Sequence, residues 1–159
     1  MTEVPLTQGQ VALVDDEDAD RILVHRWFAM WDPSTRSYRA ARKIRREVVY
    51  LSTFIIGQPG DVQIDHANHN TLDDQRQNLR VATGSQNSAN RRRRSDNTTG
   101  FIGVYWRAER KKWSAMIRVN GVLKHLGYFD LPEEAAQKRD EAAYSEFGEF
   151  ATLNFPKET

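Results

Sequence analysis

A stretch without apolar side chains divides this sequence in two. Residues 91–99 begin with four consecutive arginines, Arg91 to Arg94, and continue with Ser, Asp, Asn, Thr and Thr. Such a run cannot contribute to a hydrophobic core, so we interpret it as a linker. The 159 residues therefore form two small modules, each with enough aliphatic and aromatic residues for a core of its own.

The charge is distributed unevenly around this linker. The formal net charge is only +1, but residues 91–125 contain ten basic and two acidic residues, and residues 126–159 contain three and eight. Residues 1–60 are balanced, with eight of each sign, and residues 61–90 contain two basic and four acidic residues. A basic block of this kind can bind phosphate, because Lys and Arg that displace counterions supply most non-specific affinity for nucleic acid. A solvated linker with no partner explains the charge equally well.

The composition excludes several classes of protein. The sequence contains no cysteine, which excludes disulfides and thiolate metal sites. Its longest uncharged apolar stretch, Val48–Gly57, is too short to span a bilayer, and Met1–Thr7 lacks the pattern of an export signal. We expect a cytoplasmic, nucleoid-associated protein that is not secreted and has neither a membrane partner nor a small-molecule substrate.

The residue pattern before the linker predicts a β-rich part and a short polar segment. In the β-rich part, residues 1–57, an acidic turn is predicted at Asp15–Asp20. Its strands are predicted at Val11–Leu13, Ile22–Trp31, Tyr38–Ala41 and Glu47–Leu51. Residues 58–90 open with a Gln-Pro-Gly-Asp turn and have strands near Asp65 and at Leu79–Ala82. A capping box from Thr83 to Gln86 predicts a short helix.

Residues 100–156 predict a small domain of three antiparallel strands and one helix, so the fold class is α+β. Lys112–Val119 alternates between two faces, and Asn120-Gly121 is a preferred hairpin turn. Pro132, followed by two glutamates, opens a helix that Gly148 closes. Because one helix covers one face of the sheet, the other face is expected to be exposed. Its Arg, His and small side chains fit a DNA groove.

Four polar residues in the segment 65–87 are candidates for chemistry: Asp65, His66, Asn78 and Asn87. Carboxylate and amide oxygens suit Mg²⁺, and a histidine can take a proton from water near neutral pH. Asp and Asn also commonly satisfy backbone groups in loops and helix caps. The spacing alone leaves both interpretations open.

The same segment resembles the ββα-metal motif of HNH endonucleases, in particular phage and intron homing enzymes. The resemblance rests on Asp65-His66, on Asn78 twelve residues after His66, and on Asn87 nine residues later. It implies that Asp65 and Asn87 bind one divalent ion, Mg²⁺ or Mn²⁺. It also implies that His66 is the general base and that Asn78 orients the loop that aims it. His69 is expected to be a loop or phosphate-contact residue.

Residues 100–155 resemble the APETALA-two/ethylene-response-factor DNA-binding domain. The matching stretches include Gly103-Val104, Leu126–Asp130, Pro132–Ala136 and Leu153–Pro156. The resemblance implies that the exposed sheet face enters the major groove of double-stranded DNA. The expected DNA-binding residues are Arg91, Arg92, Arg93 and Arg94 of the linker, and Tyr105, Arg107, Lys112, Ser114, Met116, Arg118, Leu123, His125 and Tyr128 of the domain.

Together these features predict a metal-dependent HNH DNA endonuclease of the homing type. We expect a monomer that nicks double-stranded DNA and uses its C-terminal domain for recognition. A DNA-binding regulator or structural module with an inactive nuclease centre is the alternative. RNA binding is a third hypothesis, and it predicts a preference for single strands over duplex.

Overall fold

The computed structural model describes residues 1–33, 35–57, 62–91 and 97–156. It has mixed α/β structure, with small antiparallel sheets and short helices. The chain divides into two compact units, Met1–Thr83 and Gly84–Thr159. The predicted division into residues 1–57, 58–90, 91–99 and 100–156 stays a prediction. Among the described residues, no helix is long and apolar enough to cross a membrane.

The described residues of the first unit form three small antiparallel sheets. Strand β1 pairs with β2, β4 lies between β3 and β5, and β6 pairs with β7. The elements are β1 (Thr2–Pro5), β2 (Val11–Val14), α1 (Asp16–Leu23), β3 (Phe28–Asp32), β4 (Ser37–Ile44), β5 (Glu47–Tyr50), α2 (Leu51–Ile56), β6 (Gln63–His66) and β7 (Leu79–Ala82).

The predicted acidic turn at Asp15–Asp20 and the predicted strand at Ile22–Trp31 are wrong. Residues 16–23 form α1, and the strand begins only at Phe28. Acidic residues in the first turn of a helix interact favourably with its positive N-terminal end. Ala19 and Ile22, three residues apart, are buried on one side of α1. A helix therefore satisfies both the charge and the burial of this stretch.

One core cluster connects most of these elements. Val4, Val14, Ile22 and Leu51 are almost completely buried, and Trp27 packs among them. The Trp27 indole N–H donates a hydrogen bond of 3.0 Å to the carbonyl of Ile22, so the ring is buried without an unsatisfied donor. Each such side chain contributes about 1.5–3 kcal/mol by leaving water. This core fixes the strands on which the candidate site is built.

The second unit contains the predicted three strands and helix. Its elements are α3 (Gly84–Ala89), β8 (Val104–Arg107), β9 (Lys112–Val119), β10 (Val122–Phe129) and α4 (Pro132–Phe147). Strand β9 lies between β8 and β10. Helix α4 buries Ala135, Ala136 and Ala143 against Ala115 and Ile117 of β9, which confirms the predicted core face of that strand.

Gly103 allows the backbone to approach β9 closely. Its φ is +73°, and a Cβ atom at this position would lie 2.4 Å from the carbonyl oxygen of Met116. The Gly103 carbonyl accepts a hydrogen bond of 2.8 Å from the Met116 N–H. Only glycine combines this φ with this contact without strain.

Buried polar groups attach the C-terminal residues to the second unit. Asp140 of α4 accepts hydrogen bonds from the Asn154 amide at 3.1 Å and from the backbone N–H of Phe155 at 2.9 Å. Asn154 also accepts a hydrogen bond of 2.6 Å from the N–H of Ile102. These contacts give the Leu153–Pro156 stretch a structural role that the sequence pattern did not reveal.

Candidate active site and nucleic-acid interface

The β6–β7 hairpin carries the first two candidate residues. Asp65 and His66 end β6, and they are only 5% and 6% exposed. Asp65 lies directly opposite Arg80 of β7, whose guanidinium Nη2 donates to Asp65 Oδ2 at 2.5 Å. Arg80 has no role among the expectations from the sequence. The hairpin register is the signal that identifies this pair, because directly opposite residues lie on the same face.

Asn78 holds both ends of the loop that follows β6. Its Oδ1 accepts a hydrogen bond of 2.9 Å from the N–H of Asn68, and its Nδ2 donates one of 2.7 Å to the carbonyl of Asp73. Its own carbonyl accepts the N–H of Ala67 at 2.9 Å. Asn78 itself is only 6% exposed. These contacts fit an orienting role, which stays a prediction.

The far end of this loop is attached to β2. The N–H of Leu13 donates to the carbonyl of Leu72, and the N–H of Asp74 donates to the carbonyl of Leu13, both at 2.8 Å. The Thr71 hydroxyl adds a hydrogen bond of 2.6 Å to the carbonyl of Tyr38 in β4. The backbone of Asp74 is therefore fixed by a strand that lies far away in sequence.

The Asp74 carboxylate contacts the predicted general base. His66 Nε2 and Asp74 Oδ1 are 3.0 Å apart, and both side chains are buried. Burial raises the pKa of Asp74, although the hydrogen bond from His66 opposes this effect. Its second oxygen, Oδ2, is buried and has no hydrogen-bond partner among the described residues. Asp74 is not recognisable from the sequence, because nothing in the Asp73-Asp74 pair shows which carboxylate points inward.

The second predicted metal ligand, Asn87, lies on α3 of the second unit and is half-buried. Within the described ranges, no group of three or more His, Asp or Glu side chains is placed to hold a metal ion. One carboxylate and one amide oxygen can bind Mg²⁺ without such a group, since Mg²⁺ keeps several water ligands.

His69 lies in the loop after β6 and has a φ of +62°. The roles predicted for Asn87 and His69 stay predictions.

The open face of the sheet in the second unit carries most of the predicted DNA contacts. Tyr105, Arg118, His125 and Tyr128 are exposed, and Arg107, Lys112 and Met116 are half-buried. The His125 and Tyr128 rings lie 4.4 Å apart, and the Arg110 guanidinium lies 4.7 Å above the Tyr128 ring. The face therefore combines aromatic surface with basic groups.

The expectation that Ser114 is exposed on this face is wrong, because it is 0% exposed. Ser114 lies in register between Tyr105 of β8 and Tyr128 of β10. Its short side chain lies below the level of the two larger rings, and water cannot reach it. Of the basic linker, Arg91 is exposed, whereas Arg92, Arg93 and Arg94 lie outside the described residues.

Two known proteins are similar to this chain. It is 28% identical over 147 residues to a protein of Acanthamoeba polyphaga mimivirus named "Uncharacterized HNH endonuclease L560", across 92% of this chain and 76% of the viral protein. It is 35% identical over 102 residues to protein 3.8 of Escherichia phage T7, across 64% of this chain and 84% of the phage protein. No family model and no solved structure match significantly. The mimivirus relative supports the HNH resemblance, and the APETALA-two resemblance stays a prediction.

Proposed function

We propose that this chain, which belongs to the family of protein 3.8 of Escherichia phage T7, is an HNH endonuclease that nicks double-stranded DNA with the help of a divalent ion. The mimivirus relative named as an HNH endonuclease supports the nuclease assignment. The observation that carries the proposal is the buried His66–Asp74 contact beside Asp65, at the end of one strand. A homing role is a further expectation from the resemblance.

His66 acts as the general base in this proposal. With Nε2 engaged by Asp74, Nδ1 is the ring nitrogen that takes a proton from water. The water oxygen attacks phosphorus, and the bond from phosphorus to the 3′ oxygen breaks. The products are a 5′ phosphate and a 3′ hydroxyl, whose proton comes from solvent. Asp74 holds the imidazole in one tautomer and stabilises the imidazolium that forms.

Asp65 and Asn87 are the residues that would hold the divalent ion. Their carboxylate and amide oxygens match the hard ligands that Mg²⁺ and Mn²⁺ prefer. When bound, such an ion polarises the scissile phosphate and stabilises negative charge on the leaving oxygen. Arg80 limits the movement of Asp65, because its guanidinium lies 2.5 Å from Oδ2.

The second unit supplies duplex binding in this proposal. Its exposed sheet face presents Arg118, His125 and two tyrosines, which suit base edges and phosphates. The net positive charge of residues 91–125 predicts that binding weakens steeply as salt increases.

A plasmid-nicking assay tests the proposal. We expect the wild-type chain to convert supercoiled plasmid to open circles in Mg²⁺ or Mn²⁺ and to stop in EDTA. His66→Ala is expected to lose about 10²- to 10⁴-fold in rate, the range typical for removal of a general base. His25→Ala is the matched control, because His25 packs edge-on against Phe54 and has no role in the proposed reaction. A wild-type chain that binds duplex but leaves it uncut in both metals would instead be a DNA-binding module.

A further inference from the structure

The hairpin formed by β4 and β5 concentrates positive charge in the first unit. Residues 36–46 contain six basic residues and no acidic one, although residues 1–60 as a whole are neutral. Lys43, Arg45 and Arg46 at the tip of the hairpin are exposed. We call these three residues the hairpin tip.

Two of the acidic residues that balance this charge have partners elsewhere in the unit. Asp16 accepts hydrogen bonds from the N-terminal amine and from Thr2. Asp18 accepts them from Arg21 and Arg76. In the part of the chain that the structure describes, no residue of the hairpin tip forms an ion pair. The exposed Glu47, which follows Arg46, offsets one of the three positive charges, so the hairpin tip keeps a net positive charge.

The turn at the tip uses residues that are unfavourable for its geometry. Ile44 and Glu47 form the last cross-strand pair, so Arg45 and Arg46 alone make the turn. Arg45 has a φ of +56°, where glycine is normally preferred, and such a conformation costs about 1–3 kcal/mol. Two adjacent guanidinium groups also repel each other. A local arrangement that opposes stability in this way points to a functional requirement for the two arginines.

We propose that the hairpin tip is a second contact for duplex DNA, which binds backbone phosphates at a distance from the reaction centre. The guanidinium group favours phosphate because it can donate two parallel hydrogen bonds. A two-stranded ribbon also has a width that the major groove admits. This proposal rests on the proposed function only in taking duplex DNA as the substrate.

The length of β4 places the tip away from the candidate active site. Tyr38, near the start of β4, accepts the hydrogen bond from Thr71 of the His66 loop. The seven residue steps from Tyr38 to Arg45 span about 23 Å at the usual rise of a strand. This length corresponds to about seven nucleotide steps along one DNA strand. Removing the tip charges should therefore weaken binding without changing the chemical step.

The test replaces the turn with one that favours the fold. Arg45→Gly combined with Arg46→Ser removes both charges and introduces a preferred hairpin-turn sequence. The matched control, Arg26→Gln with Lys138→Gln, removes the same charge from exposed positions elsewhere. Fluorescence anisotropy with the full chain in EDTA measures affinity for a duplex of about three helical turns, between roughly 50 and 200 mM salt.

We expect the turn variant to melt at or above the wild-type temperature. Its affinity for the duplex should fall about tenfold to a hundredfold, and the slope of log affinity against log salt should decrease by about 1.8, for two lost phosphate contacts. The control should change both quantities by much less. Because binding is measured without cleavage, this result does not depend on whether the chain is an active nuclease.

Equal affinities and salt slopes for the turn variant and the control would overturn the proposal. A loss that appears with single-stranded RNA or with vesicles of anionic lipid, but not with duplex, would also overturn it. Cleavage at saturating duplex should match the wild-type rate. A loss of cleavage there would place the hairpin tip in the chemistry and contradict its assignment as a distant contact.

Discussion

We expect the replacement of Asp74 with asparagine to lower activity without lowering stability. The Asp74 side chain is only 2% exposed, and its Oδ1 lies 3.0 Å from His66 Nε2. Asparagine has nearly the same shape but cannot carry the negative charge that stabilises the imidazolium. Its amide N–H₂ can also donate to Nε2, which would place the ring proton on Nδ1 and prevent His66 from acting as a base.

The expected loss of activity follows from the strength of this contact. A hydrogen bond to a charged group contributes about 1.5–3 kcal/mol. Because about 1.4 kcal/mol corresponds to a factor of ten, the nicking rate at saturating DNA should fall roughly tenfold to a hundredfold. The wrong tautomer would add to this loss.

Asp74→Asn is expected to lower the nicking rate but not the stability of the fold. Burial raises the pKa of Asp74, because taking the carboxylate out of water penalises its ionised form. Its buried Oδ2 also has no hydrogen-bond partner among the described residues. A neutral amide removes the cost of burying the charge, so the melting temperature of Asp74→Asn should equal or exceed that of the wild type.

Single-turnover nicking, duplex affinity and thermal melting together test this reasoning. Asp73→Asn is the matched control, because it removes the same charge one residue away, where the carboxylate accepts a hydrogen bond from Asn68 rather than from His66. A nicking rate for Asp74→Asn that equals the control rate would refute the role of Asp74. A large drop in melting temperature would refute the assigned cost of its burial.

Two further predictions concern the stability of each unit. Burial alone would raise the pKa of Asp18, but hydrogen bonds from Arg76 and Arg21 outweigh it and hold the pKa below its usual range. Asp18→Asn should therefore cost roughly 2 kcal/mol of unfolding free energy at neutral pH. This difference from the wild type should shrink as pH falls from about 5 towards 2 in denaturation experiments, because a lowered pKa stabilises the fold only while the group is ionised. If the difference in unfolding free energy between Asp18→Asn and the wild type did not change with pH, the stabilising role of the ionised Asp18 would be contradicted. Gly103→Ala should destabilise the second unit by more than about 3 kcal/mol, since it adds a clash with Met116 to a left-handed φ. Gly121→Ala has a similar φ of +81° but open space, so its measured cost should be only about 1–2 kcal/mol, and equal costs would argue against the clash.

The sequence alone determined the local elements of the second unit. Alternation in Lys112–Val119, the Asn120-Gly121 turn and the Pro132 start of α4 each have a local physical cause, and all three are present in the structure. Local sequence did not determine α1, because acidic residues before an apolar run are compatible with either a turn or a helix start. Nor did it determine the exposure of Ser114, whose burial depends on the size of its neighbours on two other strands.

For the candidate site, the sequence determined which residue types are available, and the tertiary structure decided which of them meet. Spacing and resemblance pointed to Asp65, His66, Asn78 and Asn87, whose roles stay predictions. Asp74 reaches His66 only because β2, far away in sequence, fixes the loop backbone through Leu13. Nothing in the sequence likewise marks Arg45 as unusual. Its backbone strain becomes evident only from its φ of +56° in the structure. Local patterns follow from the chemistry of neighbouring residues, whereas partners and strain depend on contacts that form only when distant segments pack together.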